Sequence, residues 1–354
     1  MRVVQLIDSL AAGGAERMAV TLANSLSKNH PSFLVATRSE GPLVNAINTK
    51  VNHTCLHRKK RIDLKALLAF KNYLKNHKIQ IIHAHSTSFF FAILTKFLIP
   101  SIKIVYHEHN GAKVHQGKNE VKILRYCSRY FSSVITVNAA LEAWVTKTLH
   151  VENVVYIPNF ITFSMIAPKQ KERKDEIIHL ANLRSPKNHT LLIKAFAKVA
   201  ADFPSWQLRL VGAGYNDAYE RSLRLEISKE NIKDRVLFHG ISNCVDELLA
   251  ESKIGVLSST SEGLPMALLE YGKARLAVVS TNVGYCGEVI STFGQVVGVD
   301  DVSKLSEALR VYMDNNIRRE FDAIAFQNHI YSCYSENTVI PLIEKIYKNA
   351  LRIL

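Results

Sequence analysis

Ser258-Ser-Thr-Ser-Glu-Gly-Leu-Pro-Met-Ala-Leu-Leu-Glu270 follows the apolar run Ile254-Gly-Val-Leu257. A short buried strand leads into a polar loop, and the loop leads into an apolar helix. Pro265 suits the first helical position, where a missing N–H costs nothing. The N–H groups of Gly263 and Leu264 then point out of a helix N-terminus, which favours an anion. Two carboxylates flank this anion site: Glu262 in the loop, and Glu270 two turns down the helix. Acids beside an anion site make sense when the ligand carries both phosphates and hydroxyls, as a sugar nucleotide does. N–H groups hold its diphosphate, and carboxylates, strong hydroxyl acceptors, hold its sugars. Alone, the two glutamates would read as a solvated helix start with an incidental charge pair.

The same alternation runs outward from this segment. Val3–Ile7, Phe33–Ala36, Ile79–Ile82, Ile102–Tyr106, Ser133–Val137 and Val154–Ile157 read as strands separated by helical patterns such as Met18, Leu22 and Leu26. A second series starts at Ile177–Leu180 and continues through Trp206–Val211, Val236–Phe238, Ile254–Leu257 and Ala277–Ser280. Strands alternating with helices imply parallel sheets, and 354 residues suit two such domains. Pro158-Asn159 and the polar run Pro168–Asp175 read as the connection between them. In doubly wound sheets, ligands bind past the C-terminal ends of the strands.

Candidate site residues occupy those ends. Gly13-Gly14 follows the first strand and opens a helix, where glycine lets backbone approach a phosphate closely. Arg184 and Lys187 follow the first strand of the second series and offer charge-assisted bonds to a diphosphate. Gly212 and Gly214 follow its second strand, where a tight turn and a close nucleotide approach are equally good readings. His107-Glu-His109 ends a strand of the first series, and His83-Ala-His85 reads as structural. Zinc is a rival reading of these histidines, but no H-E-x-x-H or cysteine partner accompanies them, so no metal is expected.

Composition narrows the class. The formal net charge is +14, and residues 1–165 hold 21 Lys+Arg against 8 Asp+Glu, so the excess lies in the first half. Its densest piece is Arg58-Lys-Lys-Arg61, with Lys65, Lys71, Lys75 and Lys78 following. Such a surface attracts the anionic cytoplasmic leaflet. It would also attract nucleic acid, but no recognition helix, RNA-binding aromatic motif or zinc module is present, so none is expected. Five scattered cysteines without a C-x-x-C pair suit reduced thiols and a cytoplasmic setting. No signal peptide is read ahead of the first strand. Phe89–Ile99, the most apolar run, is too short to span a bilayer and reads as a core helix.

Taken together, Gly13-Gly-Ala-Glu-Arg17, Ala181-Asn-Leu-Arg-Ser-Pro-Lys-Asn188, Leu210-Val-Gly-Ala-Gly214, Glu262-x7-Glu270 and Gly284-Tyr-Cys-Gly-Glu288 resemble the motif set of the family 4 glycosyltransferases. The order and spacing match over nearly the whole chain. The resemblance implies the GT-B fold: two Rossmann-like doubly wound α/β domains facing a cleft, with a C-terminal helix crossing back to the first. The domains are then residues 1–165 with 338–354, which bind the acceptor, and 166–337, which bind the donor. The resemblance also implies a retaining, metal-independent hexosyl transfer from a UDP- or GDP-linked sugar. Arg184 and Lys187 would hold the diphosphate, Glu270 the ribose, and Glu262 the sugar hydroxyls. Ser261, Gly263 and Leu264 would supply nearby donors, Gly13 and Gly14 would lie against the diphosphate, and His109 would position the reactive carbon. The chain departs from the family pattern at Asn182, where arginine is usual, and at Arg275 and Ala277, where glycine and proline are usual.

The expected activity is therefore a glycosyltransferase of cell-surface polysaccharide assembly (O-antigen, capsule or exopolysaccharide). Its acceptor is a saccharide, lipid-linked at the inner membrane face, where the basic half docks the protein peripherally. Two rivals stay open: a non-hydrolysing sugar-nucleotide epimerase of the same fold, and a non-catalytic sugar-nucleotide-binding protein.

Overall fold

The computed structural model describes residues 1–117, 119–163, 173–242 and 244–352. The chain divides into two compact units, Met1–Thr162 with Glu336–Leu354, and Phe163–Ser335. The expected connection at Pro168–Asp175 lies largely outside the described residues.

The first unit holds β1 (Val3–Ser9), β2 (Ser32–Ser39), β3 (Val51–Cys55), β4 (Ile81–His85), β5 (Lys103–Glu108), β6 (Ser133–Thr136) and β7 (Val154–Tyr156). They form one parallel sheet in the order β3-β2-β1-β4-β5-β6-β7. The order reverses between β1 and β4, so the loops after these strands open where doubly wound sheets bind ligands. Period-2 alternation sorts the core into two layers. Val4, Leu6, Phe33 and Val35 face one way, and Ile7, Leu34 and Ala36 face the other. The helix Gly14–Leu26 buries Met18, Leu22 and Leu26, the helical spacing read from the sequence. The last helix, Glu336–Arg352, buries Val339, Ile343, Ile346, Tyr347 and Ala350 within this unit. Ser25 donates to the Glu336 carboxylate at 2.9 Å, Lys28 pairs with the same group, and His30 meets Glu344 at 3.0 Å.

The second unit holds β8 (Glu176–Leu180), β9 (Gln207–Val211), β10 (Val236–Gly240), β11 (Ile254–Leu257), β12 (Ala277–Thr281) and β13 (Gln295–Val297). These also run parallel, in the order β10-β9-β8-β11-β12-β13. Its reversal falls between β8 and β11, the strands that feed the Lys187 and Glu262 loops. Tyr271 ties these two strands together: its hydroxyl accepts from Leu180 N at 2.8 Å and donates to Val256 O at 3.0 Å.

Three local expectations are corrected. Pro265 has φ −76° and ψ 121°, so it caps the helix Met266–Lys273 from outside and is not its first residue. Glu270 is consequently one turn into that helix, not two. Arg58 is not part of an exposed basic run. It is 5% exposed, pairs with Asp8 at 2.8 Å and lies 5.0 Å over the Phe91 ring. Among the described residues no helix is long and apolar enough to cross a membrane.

Candidate active site

In the second unit, two loops are laced together. Ser258, the first residue after β11, places its hydroxyl 3.0 Å from the carbonyls of Lys187 and Asn188. Thr260 N donates to Pro186 O at 2.9 Å. These bonds bring Lys187 Nζ to 2.6 Å from Glu262 Oε1, where Ser259 Oγ also donates at 2.6 Å. Both side chains of the ion pair are partly buried, so the pair is screened less than a surface bridge. Gly284 and Tyr285 brace the far side of the loop. Tyr285 N donates to Gly263 O at 3.0 Å, and a Cβ on Gly284 would sit 2.1 Å from Glu262 O. Gly284 also has φ +53°, so glycine is required twice over. Glu270 is buried on the following helix, Leu264 is buried, Gly263 is partly buried and Ser261 is exposed.

The departure at Asn182 has a structural consequence. Its Oδ1 accepts from Ala213 N at 3.0 Å, and Leu183 N donates to Ala213 O at 2.8 Å. Asn182 therefore holds the turn Gly212-Ala213-Gly214. A Cβ on Gly212 would fall 2.1 Å from Ala181 O, so close backbone packing explains that glycine. Arg184 turns away from Lys187's ion pair. It donates to the Tyr215 hydroxyl at 2.7 Å, with its guanidinium 4.9 Å over the ring. Lys187 and Arg184 are thus engaged by different partners.

In the first unit, Asp8 sits at the end of β1 beside the order reversal. It accepts from Thr37 at 2.6 Å, Arg58 at 2.8 Å and Thr87 at 2.7 Å. The Gly13-Gly14 loop follows. The Glu16 carboxylate lies against Gly13, and among the described residues nothing comes within 4 Å of where a Cβ on Gly14 would go. At the end of β5, His107 and Glu108 are buried, and only His109 is partly exposed. This corrects the expectation that all three face a ligand. Glu108 instead accepts from Asn110 N at 2.9 Å and from Tyr106 and Lys113, which fixes the backbone around His109.

Nitrogens of His83, His85 and His107 lie within 4.8 Å of one another. Lone pairs of an imidazole lie in the ring plane, and the His83 and His85 planes are 2° from parallel with centroids 4.4 Å apart. Two parallel stacked planes do not meet, so these rings do not aim at one ion. Hydrogen bonds occupy them instead: His85 Nδ1 meets His109 at 2.9 Å, and His83 Nε2 meets His107 at 3.1 Å. Burial lowers His83 and His109 to about 3, and takes His85 and His107 well below the usual imidazole range.

Sequence reasoning passed over Gln5, Ser259, Tyr215 and Tyr347. Gln5 carried a signal: it is the one polar residue inside Val3–Ile7, and it is fully buried. Ser259 sat inside the decisive segment, unremarked among three other hydroxyl residues.

Two parallel doubly wound sheets, with a cation and carboxylates at the strand ends of the second, define a glycosyltransferase of the GT-B class. The chain belongs to glycosyltransferase family 4: residues 12–164 match the model described as Glycosyltransferase Family 4, and residues 162–326 match that of Glycosyl transferases group 1. The O-antigen biosynthesis glycosyltransferase WbnH of Escherichia coli is 26% identical over 82% of this chain and 84% of its own length. The GalNAc-alpha-(1->4)-GalNAc-alpha-(1->3)-diNAcBac-PP-undecaprenol alpha-1,4-N-acetyl-D-galactosaminyltransferase of Campylobacter jejuni is 24% identical over 90% of this chain and 91% of its own. The crystal structure of Anabaena HepE in complex with UDP and glucose superimposes with a TM-score of 0.84 at 16% identity, covering 98% of this chain and 100% of that one. The last comparison concerns the fold.

Proposed function

We propose that this glycosyltransferase moves a hexosyl unit, with retention, from a nucleoside diphosphate donor to a lipid-linked saccharide of cell-surface polysaccharide assembly. One observation carries the reading: Lys187 Nζ and Glu262 Oε1 lie 2.6 Å apart at the end of the β8–β11 reversal. A cation and an acceptor at that separation match a phosphate and the sugar hydroxyls next to it. Glu270, buried one helical turn beyond, suits the ribose hydroxyls.

In the proposed step, the bond between the anomeric carbon and the diphosphate oxygen breaks, and the electron pair leaves with the diphosphate. The acceptor hydroxyl oxygen forms the new bond on the same face, and its proton passes to the departing phosphate oxygen. Lys187 offsets the charge growing on that phosphate, which favours the transition state over the ground state. Arg184 joins it by leaving Tyr215. No metal is required in this scheme, because the side-chain cation sits where the charge develops. His109 positions the sugar near its reactive carbon. UDP- and GDP-linked sugars are both within the proposal.

The acceptor reading draws on the undecaprenol-linked substrate in the name of the Campylobacter relative. It also draws on the surface of the first unit. Ile62, Leu64 and Leu68 are exposed, Leu64 at 69%, beside exposed Lys59, Lys60, Arg61, Lys65 and Lys75. Phe97 and Tyr126 are also exposed, on the helices Phe89–Leu98 and Lys122–Cys127 of the same unit. Apolar side chains ringed by lysines suit docking at the anionic inner membrane face, with the protein otherwise in the cytoplasm.

The test is thermal stabilisation by UDP-, GDP- and ADP-sugars, followed by transfer assays with the donor that binds. Lys187→Ala is expected to retain the fold and lose transfer, and the product's anomeric configuration reports retention. Conversion of donor alone into an epimer, without acceptor, would replace the transferase mechanism by an epimerase one.

A further inference from the structure

The helix Asn316–Tyr334 of the second unit is apolar on two sides. Its inner side buries Ala323, Phe326 and Ile330. There it lies close against the helix Met266–Lys273: a Cβ on Gly272 would fall 2.4 Å from Ile330 Cγ1. Its outer side carries Ile317, Phe321, Ile324 and Tyr331, exposed at 84%, 68%, 43% and 52%. With Asn328 counted before Tyr331, these positions advance by four, three, four and three residues. That period keeps one stripe turned toward a partner helix along its whole length. Phe163 packs edge-on against Tyr331, ring centroids 5.1 Å apart, so the stripe ends on an aromatic pair. Single exposed apolar side chains are ordinary, but the outward face of a surface helix is normally polar.

Charge and area indicate which partner fits. Among the described residues of this helix that are exposed, Arg318 alone is charged, and its Nε donates to Asp322 at 2.7 Å. Glu320, partly buried, pairs with Arg275 at 2.9 Å. The face is therefore neutral, unlike the lysine-ringed surface of the first unit. It lacks the cationic rim with which an interfacial helix meets anionic lipid. Copies of a chain with net charge +14 repel one another, and a neutral face is where two of them meet at least electrostatic cost. The exposed fractions of the four large side chains amount to roughly 500 Å². Two copies then offer about 1000 Å² of apolar surface before flanking polar residues are counted, the lower bound for a specific interface.

We propose that this stripe joins two copies of the chain, the helix Asn316–Tyr334 of each lying against the same helix of the other about a two-fold axis. Asn328 is the one polar residue in the stripe. A polar group at such a position selects one register and one pairing at a cost in stability. An interface of this size with such a residue in it gives a micromolar dimer. Neither donor nor acceptor enters the interface, so its test reads a mass and stands apart from the transferase reading.

The test is sedimentation velocity of the full chain from about 1 to 100 μM. The average mass of wild type is expected to rise from that of one chain to that of two. The double variant Ile317→Glu/Phe321→Glu changes two side chains that stand mostly in solvent, so its melting temperature in dilute solution should hold. It should stay monomeric throughout, its dissociation constant raised at least about 100-fold. Leu225→Glu alters an equally exposed residue (72%) on another helix and should leave the dimer as it is. Phe321→Lys/Ile324→Lys and Phe321→Glu/Ile324→Glu should each be monomeric alone and pair when mixed, because opposite charges then face each other across the seam. Amide exchange of wild type should slow along residues 317–331 as concentration rises, which tests the interface without any variant. A wild type that is monomeric at about 100 μM, or a dimer that persists in Ile317→Glu/Phe321→Glu, would overturn the proposal. Binding to phosphatidylcholine vesicles by a monomeric wild type, lost in that variant, would make the stripe a membrane surface instead.

Discussion

Replacing Gly284 by alanine and, separately, Gly14 by alanine makes opposite demands on the structure. A Cβ on Gly284 would lie 2.1 Å from Glu262 O, 2.7 Å from Glu262 C and 2.9 Å from Gly263 O. All three are backbone atoms, so the loop that carries Glu262 must retreat by about 1 Å to reach ordinary contact. The φ of +53° adds about 1–2 kcal/mol for a residue with a Cβ. With about 1–3 kcal/mol for overpacking, Gly284→Ala should cost roughly 2–5 kcal/mol, or a fall in melting temperature of roughly 5–15 °C. If Glu262 holds the donor sugar as proposed, a 1 Å displacement of its carboxylate should cost about a hundredfold in transfer rate. Gly14 has open space where its Cβ would go and opens a helix, so Gly14→Ala should leave stability unchanged or raise it by up to about 1 kcal/mol. If that space takes the donor diphosphate, Gly14→Ala should nevertheless weaken donor binding. Differential scanning fluorimetry and initial transfer rates separate the two effects. A Gly284→Ala enzyme with wild-type melting and rate would refute the bracing of Glu262, and full activity in Gly14→Ala would refute the diphosphate assignment of the first loop.

Other expectations follow from single contacts. Glu270→Gln keeps the shape of a buried side chain and removes its charge, so kcat/KM should fall about 10- to 150-fold, one charged hydrogen bond's worth, with the fold intact by circular dichroism. Arg58→Ala removes a buried partner of Asp8 and should lower stability by about 2–4 kcal/mol without changing binding to anionic liposomes. Neutralising Lys59, Lys60 and Arg61 should do the reverse, and liposome binding that survives it would count against membrane docking through this face. For pH, burial lowers His83, His85 and His107 in the folded state below the ordinary value of about 6.5 that they regain on unfolding. Protons then favour the unfolded chain, so the stability these rings contribute is complete above pH 6.5 and declines as pH falls below it. Three rings correspond to a slope of up to about 4 kcal/mol per pH unit. Urea unfolding at pH 7.5 and 5.5 measures it, and equal stabilities would mean that these rings are not buried neutral.

What was legible in the sequence was periodic or punctuated. Val3–Ile7 and Ala277–Ser280 announced buried strands because every residue but one or two is apolar, and Met18, Leu22 and Leu26 announced a helix by spacing. The edge strands β3 and β13 went unread: Val51-Asn-His-Thr-Cys55 buries only Val51, and Gln295–Val297 is three residues long. The other two edge strands, β7 and β10, were read because Val154-Val155 and Val236-Leu-Phe238 keep an apolar run, so being at an edge hides a strand only where it also lacks that run. The charge count in the first half was read correctly as a number but not as a surface. Arg58 has the same formula as Arg61, and only the fold puts it beneath Phe91 and against Asp8.

The site divides in the same way. Glu262, Lys187 and Glu270 stand out as candidates in the sequence because their spacing within short segments is the signal. Their supports do not, because a support is defined by a partner far away in sequence: Gly284 by a carbonyl at 262, Asn182 by an N–H at 213. Asn182 is the instructive case. Read along the chain, it is an arginine missing from a pattern, and Arg184 two residues on seems its natural replacement. Placed in the fold, Asn182 locks the Gly212 turn against β8, and Arg184 is engaged with Tyr215. In the proposed mechanism the diphosphate charge therefore falls first on Lys187, and any contribution of Arg184 depends on releasing an exposed hydrogen bond and a ring contact, together worth about 1–2 kcal/mol. On that argument Tyr215→Ala should change the rate by no more than about 30-fold in either direction, whereas Lys187→Ala should abolish transfer. Equal losses from Lys187→Ala and Arg184→Ala would instead mean that the two cations share the diphosphate.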